Sequence, residues 1–344
     1  STLGLTDIEA VRATNDFRDI SGYNPHVRSQ IAFNTDSKIP PTVRTNGVLL
    51  AQVCPRGGRI SGTSSIMALD GWNWQDATLK VDDGVHLNWP SYYSRSWNED
   101  DGFSAYSQNK EYETQRQELE KFFAEAKAYN DNPVTAEKNL RFEAMHGVFT
   151  GEKTLFIHAD LVKEITEAIT FSKKFSIAHM VIVGGADSWK CVEVLKQNNI
   201  PVMLARTHSL PLRSDDDVAQ PYKTAAQLQE GGVLFCLQNE GDMEAMGARN
   251  IPFLAGTTVA YGLTKEQALQ AITGNSAKIL RIDNMMGTLE VGKDATLFIS
   301  EGDALDMKTN NVTWAFIQGK KLDLRNEQQV LYHTYEEKYG LKNK

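Results

Sequence analysis

The sequence predicts an α/β protein with a parallel sheet covered by helices and a separate small β unit at its C-terminal end. From residue 154 onward, four short apolar runs, TLFIHA (154–159), HMVIVGG (179–185), IPVMLA (200–205) and VLFCLQ (233–238), are each followed by a longer stretch of helical pattern. The runs are continuously apolar rather than alternating, as expected of strands covered on both faces. After Asp283 the period changes to two, with Leu289, Val291, Ala295, Leu297 and Ile299 alternating with polar residues. A repeated strand-then-helix unit fits a closed (β/α) barrel and an open doubly wound sheet equally well, so periodicity alone leaves both open.

Element by element, GVLLAQVC (47–54) and GVHLNWP (84–90) read as two earlier strands of the same kind. A charged helical pattern over 107–130 puts Leu119, Phe122, Phe123 and Ala126 on one face and reads as an insertion packed on the rim. The helical partners of the later strands cover 161–174, 187–198, 221–230 and 250–263. Thr264 with Gln267 three residues on forms a capping box, so a helix starts near Lys265 and carries Leu269, Ile272, Ala277 and Leu280 on its apolar face. Residues 288–299 then read as a hairpin around Gly292-Lys293-Asp294, and 313–324 as a second hairpin with Gly319 at its turn.

The chain of 344 residues is 41% apolar, enough for one large α/β domain with a small appendage. With 36 basic and 44 acidic side chains the net charge is −8, which offers no general attraction to nucleic acid or anionic lipid. Cys54, Cys191 and Cys236 lack the paired spacing of a zinc ribbon or disulfide framework and read as buried small apolar residues. No apolar run is long enough to span a bilayer, and no signal-peptide pattern opens the chain.

The passage LTKEQALQAITGNSAKILRI followed by MMGTLEVGKDATLFI closely resembles the C-terminal signature of the amidohydrolase superfamily. The resemblance, strongest to the imidazolonepropionase-like members, extends through Asn250-Ile251-Pro252-Phe253 and Ala260-Tyr261-Gly262-Leu263 back to the glycine-rich segment near residue 60. It chooses between the two architectures. It implies a (β/α)8-type TIM barrel over 1–284, lacking its first strand in this chain and carrying the helical insertion, with a β-sandwich remnant over 285–325 and a tail over 326–344. Ser1 falls where a family member is already leaving its first barrel strand, so an upstream segment is expected.

In such a barrel the reacting groups sit at the C-terminal ends of the strands. His158, ending TLFIHA, matches a metal-ligating histidine of the family, against the alternative of a histidine hydrogen-bonded to neighbouring loops. The resemblance places a second histidine near Gly184, a carboxylate at Gln238-Asn239, and the second histidine of a His-x-His pair at Thr2, none of which can play those parts here. Amides are weak ligands and not bases at neutral pH, so the base would have to be Glu240 or Asp242 from the following loop. His179 opens its strand, at the wrong end for chemistry, and reads as structural. His208, beyond IPVMLA, is a candidate for substrate binding or a relocated ligand, with Arg206 beside it. Arg56 and Arg59 flank exposed backbone N–H groups in the glycine-rich segment 55–65, which reads as a carboxylate or phosphate cradle or as a structural turn. Trp72, Trp74, Trp89 and Trp97 read as packing for the insertion in preference to a ligand wall.

The expected function is hydrolysis of non-peptide C–N bonds through a reduced or atypical site holding one divalent metal, zinc, or none, because zinc needs three or four protein ligands. The alternative is a catalytically inactive barrel that binds a ligand or serves a partner. Expected partners are a small-molecule substrate and either a second copy or a related amidohydrolase, with no nucleic acid and no membrane. The resemblance favours the bacterial periplasm slightly over the cytoplasm.

Overall fold

The computed structural model describes residues 1–94, 97–98, 102–103, 106–132, 138–239 and 243–341. Seven strands form its main sheet: β1 (Leu50–Val53), β2 (Ile60–Ala68), β3 (Thr78–Asn88), β4 (Thr154–Ala159), β5 (Met180–Gly184), β6 (Val202–Leu204) and β7 (Phe235–Leu237), paired in that order. From β3 to β7 every pairing is parallel, and the sheet curls into a TIM-barrel-like half-barrel. Helices α1 (Tyr112–Asp131), α2 (Val162–Lys174), α3 (Val192–Gln197), α4 (Gln220–Gly231) and α5 (Ile251–Ala260) cover its outer face.

Alternate residues of the strands divide the core. Val85, Leu87, Leu155, Ile157, Ile182 and Leu204 point outward against the helices, and Leu119, Phe123 and Ala126 of α1 lie in that same cluster. The insertion helix is therefore part of the principal core and not merely an addition at the rim. The opposite parity, Phe156, Val181, Val183, Met203 and Cys236, lines the interior against Ile279. Gly84 faces Thr154 across the β3–β4 ladder, and a Cβ there would lie 2.3 Å from the Phe156 ring and 2.5 Å from the Thr154 carbonyl. The two strands approach this closely only because position 84 has no side chain.

Three sequence expectations change. The 47–54 run forms β1 but pairs antiparallel with β2, and β2 antiparallel with β3, so these strands are not βα units of the later kind. The glycine-rich stretch is not a loop throughout, because Ile60–Ala68 is a strand buried along its whole length with its N–H groups committed to neighbours on both sides. Its serines and glycine disguise the strand pattern. The 288–299 hairpin does not form either: Leu289 and Val291 are exposed, and only β8 (Leu297–Ser300) is a strand. It pairs with β9 (Val312–Ile317), which turns at Gly319 into β10 (Lys320–Lys321), giving one three-stranded antiparallel sheet instead of two facing hairpins.

The Thr264–Gln267 capping box is present in both directions and starts α6 (Lys265–Ile272). Thr273 breaks the predicted continuation, and α7 (Gly274–Ile279) follows at a new angle of backbone. No helix among the described residues is long and apolar enough to cross a membrane.

Candidate active site

The C-terminal ends of β3 and β4 bring two histidines together. His86 sits on β3 with inward parity, opposite to Val85 and Leu87, and is 1% exposed. Its ring stacks on Phe156, and its Nδ1 lies 3.0 Å from Nε2 of His158. The parallel register, His86 opposite Phe156 and Asn88 opposite His158, sets His158 one inward step nearer the mouth. Sequence reading named His158 and missed His86; the signal was a single imidazole between the apolar Val85 and Leu87 near the end of a strand.

The geometry of this pair has a chemical consequence. One nitrogen of each ring faces the other, so one proton lies between them, and in either tautomer the neutral pair carries a lone pair on one outer nitrogen and an N–H on the other. The outer nitrogen of His86 is buried, so the pair meets the mouth through His158, which is half-buried.

Across the mouth, a second group gathers around Glu244, a carboxylate 4% exposed at the start of the short helix Glu244–Gly247. Its Oε1 accepts the Thr2 backbone N–H at 2.7 Å, and its Oε2 lies 3.0 Å from Nη2 of Arg56. Ser1 pairs with the outer edge of β1 through the Gln52 carbonyl and the Cys54 N–H. Asn239, just beyond β7, donates from Nδ2 to the Glu244 carbonyl. These bonds span the gap between β1 and β7, so the N-terminal segment and Glu244 close the ring where no strand among the described residues does. Glu244 was also missed from sequence. A lone acid in an otherwise apolar short helix, facing an arginine in a glycine-rich loop, is the signal that would have found it.

The remaining candidates fall into different surroundings. Arg59 donates to the Asn88 carbonyl and to Gln115 of α1, tying the end of β3 to the insertion. His208 Nε2 lies 2.7 Å from the Thr257 hydroxyl on α5, its ring 6.0 Å from that of Tyr222 on α4; its described contacts are with these helices and not with the histidine pair. Arg206 is half-buried at the end of β6. His179 stands before β5 at the opposite end, as expected from its place in the sequence. Trp89 packs on Phe171 and donates to the Tyr112 hydroxyl of α1, whereas Trp72 is exposed and the side chain of Trp97 lies outside the described residues. Glu240 and Asp242 also lie outside the described residues. The three cysteines are buried, and burial pushes the Cys191 thiol to about 11 and that of Cys236 to about 12, so neither is a thiolate at neutral pH.

A model of the amidohydrolase family matches residues 99–322, well over half of the chain. The protein belongs to the amidohydrolase family. Its fold is similar to that of an amidohydrolase from Thermotoga maritima MSB8, at 22% identity and a TM-score of 0.77, over 94% of this chain and 85% of that one. An adenosine deaminase from Xanthomonas campestris, solved with bound zinc, matches at 15% identity and a TM-score of 0.42, over 74% of this chain and 65% of that one. At 22% identity the likeness to the Thermotoga protein describes the fold alone. No curated protein matches the sequence.

Amidohydrolases usually use divalent metals. The described residues of this one do not fit such an ion: no three His, Cys, Asp or Glu side chains among them converge as a ligand set. Gly184 has φ +97°, and a Cβ on it would lie 2.6 Å from Oδ1 of Asp160, so a carboxylate stands where a ligating side chain would start. The two imidazoles that do meet turn nitrogens toward each other, and both Glu244 oxygens are engaged with Thr2 and Arg56.

Asp187, just past β5, shows how the mouth is held. Its side chain is 1% exposed, and both oxygens accept from Arg213, at 2.8 and 2.6 Å, with a further bond from the Val162 N–H at the start of α2. Burial raises its pKa, but the Arg213 and Val162 bonds outweigh that and hold the carboxyl below its ordinary range. A carboxyl depressed in the folded state contributes stability above its unfolded pKa of about 3.9 and loses it as pH falls through the folded value. Asp187→Asn is expected to cost roughly 1–3 kcal/mol at neutral pH and to flatten the loss of stability below about pH 4. Urea unfolding at several pH values checks this; parallel wild-type and variant curves would contradict it.

Proposed function

We propose that this amidohydrolase cleaves a non-peptide C–N bond at an atypical site in which the His86–His158 pair moves the protons. The observation that supports the reading is the 3.0 Å contact between the two rings at the strand ends, with one ring buried. Hydrolysis adds the hydroxyl of water to the carbonyl carbon and a proton to the departing nitrogen. In the tautomer whose His158 Nε2–H donates to His86 Nδ1, the outer Nδ1 of His158 takes the proton of the attacking water and gives it to the departing nitrogen, so the pair ends each cycle as it began. Burial of His86 against Phe156 fixes its ring and hence the orientation of the His158 ring bonded to it.

A second reading, an inactive barrel that binds a ligand or serves a related subunit, has its own support. Thr2, Gly184 and Asn239 occupy places that the resemblance gives to ligands, and each is committed locally: Thr2 to Glu244, Gly184 against Asp160, Asn239 to the Glu244 carbonyl.

A screen of cyclic and acyclic amides for released amine or carboxylate, run on chelator-treated protein, separates the two. Turnover that disappears in His158→Ala supports the first reading. Absence of turnover, or turnover indifferent to His158, refutes it and leaves the inactive barrel.

A further inference from the structure

At the other end of the barrel, below the strand starts, lies a cavity of about 440 Å³ walled by the beginnings of β4 and β5, the end of α2 and the end of α7. Its wall carries Lys173, Lys278, Arg281 and His179 and no aspartate or glutamate, in a chain whose net charge is −8. None of the three permanent cations has an ion-pair partner among the described residues. Arg281 donates to the carbonyls of Gly151 and Glu152, at 3.0 and 3.4 Å, and adopts φ +56° to do so. A fourth cation, Lys80, bonds the Leu280 and Arg281 carbonyls from beside them. Burial, then Arg281 and Lys80, hold the His179 imidazole below its ordinary pKa, as a site with surplus positive charge would. Arg281 and Lys80 thus also brace the backbone, whereas Lys173 and Lys278 make no side-chain bond among the described residues.

We propose that this cavity binds a small phosphate-bearing anion, held by Lys173, Lys278 and Arg281. Three cations match a group carrying nearly two negative charges at neutral pH, and the volume leaves room for a small organic group beyond the phosphate. The site is independent of the chemistry proposed at the mouth.

The test is titration of the intact protein at constant ionic strength with inorganic phosphate and with glycerol 1-phosphate, followed by the NMR signals of the His179 imidazole. The expected result is a saturable movement of His179, weakened about tenfold in Lys173→Gln and in Lys278→Gln. Both lysines are exposed and make no ion pair among the described residues, so these variants fold. Tighter binding of glycerol 1-phosphate supports an ester as occupant, and equal binding supports the free ion at the same site. A still His179, a drift shared by all histidines without saturation, or unchanged affinity in both variants overturns the proposal.

Discussion

His158→Ala is expected to lower C–N hydrolysis by about 10²–10⁴-fold, the range set by loss of a positioned proton donor and acceptor. The variant removes one half of a two-ring unit, so His86 retains its imidazole but loses the contact between its Nδ1 and the His158 ring. His158→Gln separates the proton transfer from the hydrogen bond. An amide keeps a donor or acceptor toward His86 but takes up no proton, so its rate should fall as far as that of the alanine variant while its melting temperature stays nearer to wild type. A glutamine variant retaining most of the activity would show that His158 only positions His86. His86→Ala is a less clean probe, since that side chain is buried against Phe156 and its removal opens a hole in the wall.

Phe123→Ala should destabilise the whole protein by about 3–5 kcal/mol, the usual cost of truncating a fully buried aromatic ring. Phe123 is 0% exposed and meets Phe122, Phe149, Phe171 and Phe175 at centroid distances from 4.8 to 6.2 Å. Phe171 and Phe175 lie on and just beyond α2, so the ring joins the insertion to the outer layer of the barrel. The measurement is denaturant unfolding followed by barrel tryptophans and by far-UV dichroism together. One cooperative transition at lower denaturant is expected. A loss under about 1 kcal/mol, or separate melting of α1, would mean that the insertion is an appendage with its own small core.

The parallel half of the fold was legible because β4 to β7 are continuous apolar runs, and that pattern arises only where both faces are covered. The antiparallel half was less legible. Ile60–Ala68 is rich in serine and glycine, and its nine buried residues are stabilised by pairing on both edges, which no local propensity announces. The site divides in the same way. His158 stands out at a recognisable strand end, whereas His86 becomes visible only when the register places it one step below its partner. Glu244 belongs to a contact 242 residues apart in the chain, with Thr2, and a pairing of that span lies beyond any window of sequence. The leucine and valine of the 288–299 stretch misled because alternation is necessary for a half-buried strand and not sufficient: with no sheet beneath them, Leu289 and Val291 stay in water.

Two imidazoles that satisfy each other, a glycine backed by a carboxylate and an amide tied to the next loop are together the reason to expect proton transfer and not a pair of cations at this mouth. Elemental analysis of protein purified without chelator and dialysed at neutral pH tests that most directly. Less than about 0.1 equivalent of zinc or any other transition metal per chain is the expected result. Two equivalents that survive dialysis, with anomalous density beside His158 in crystals, would contradict it.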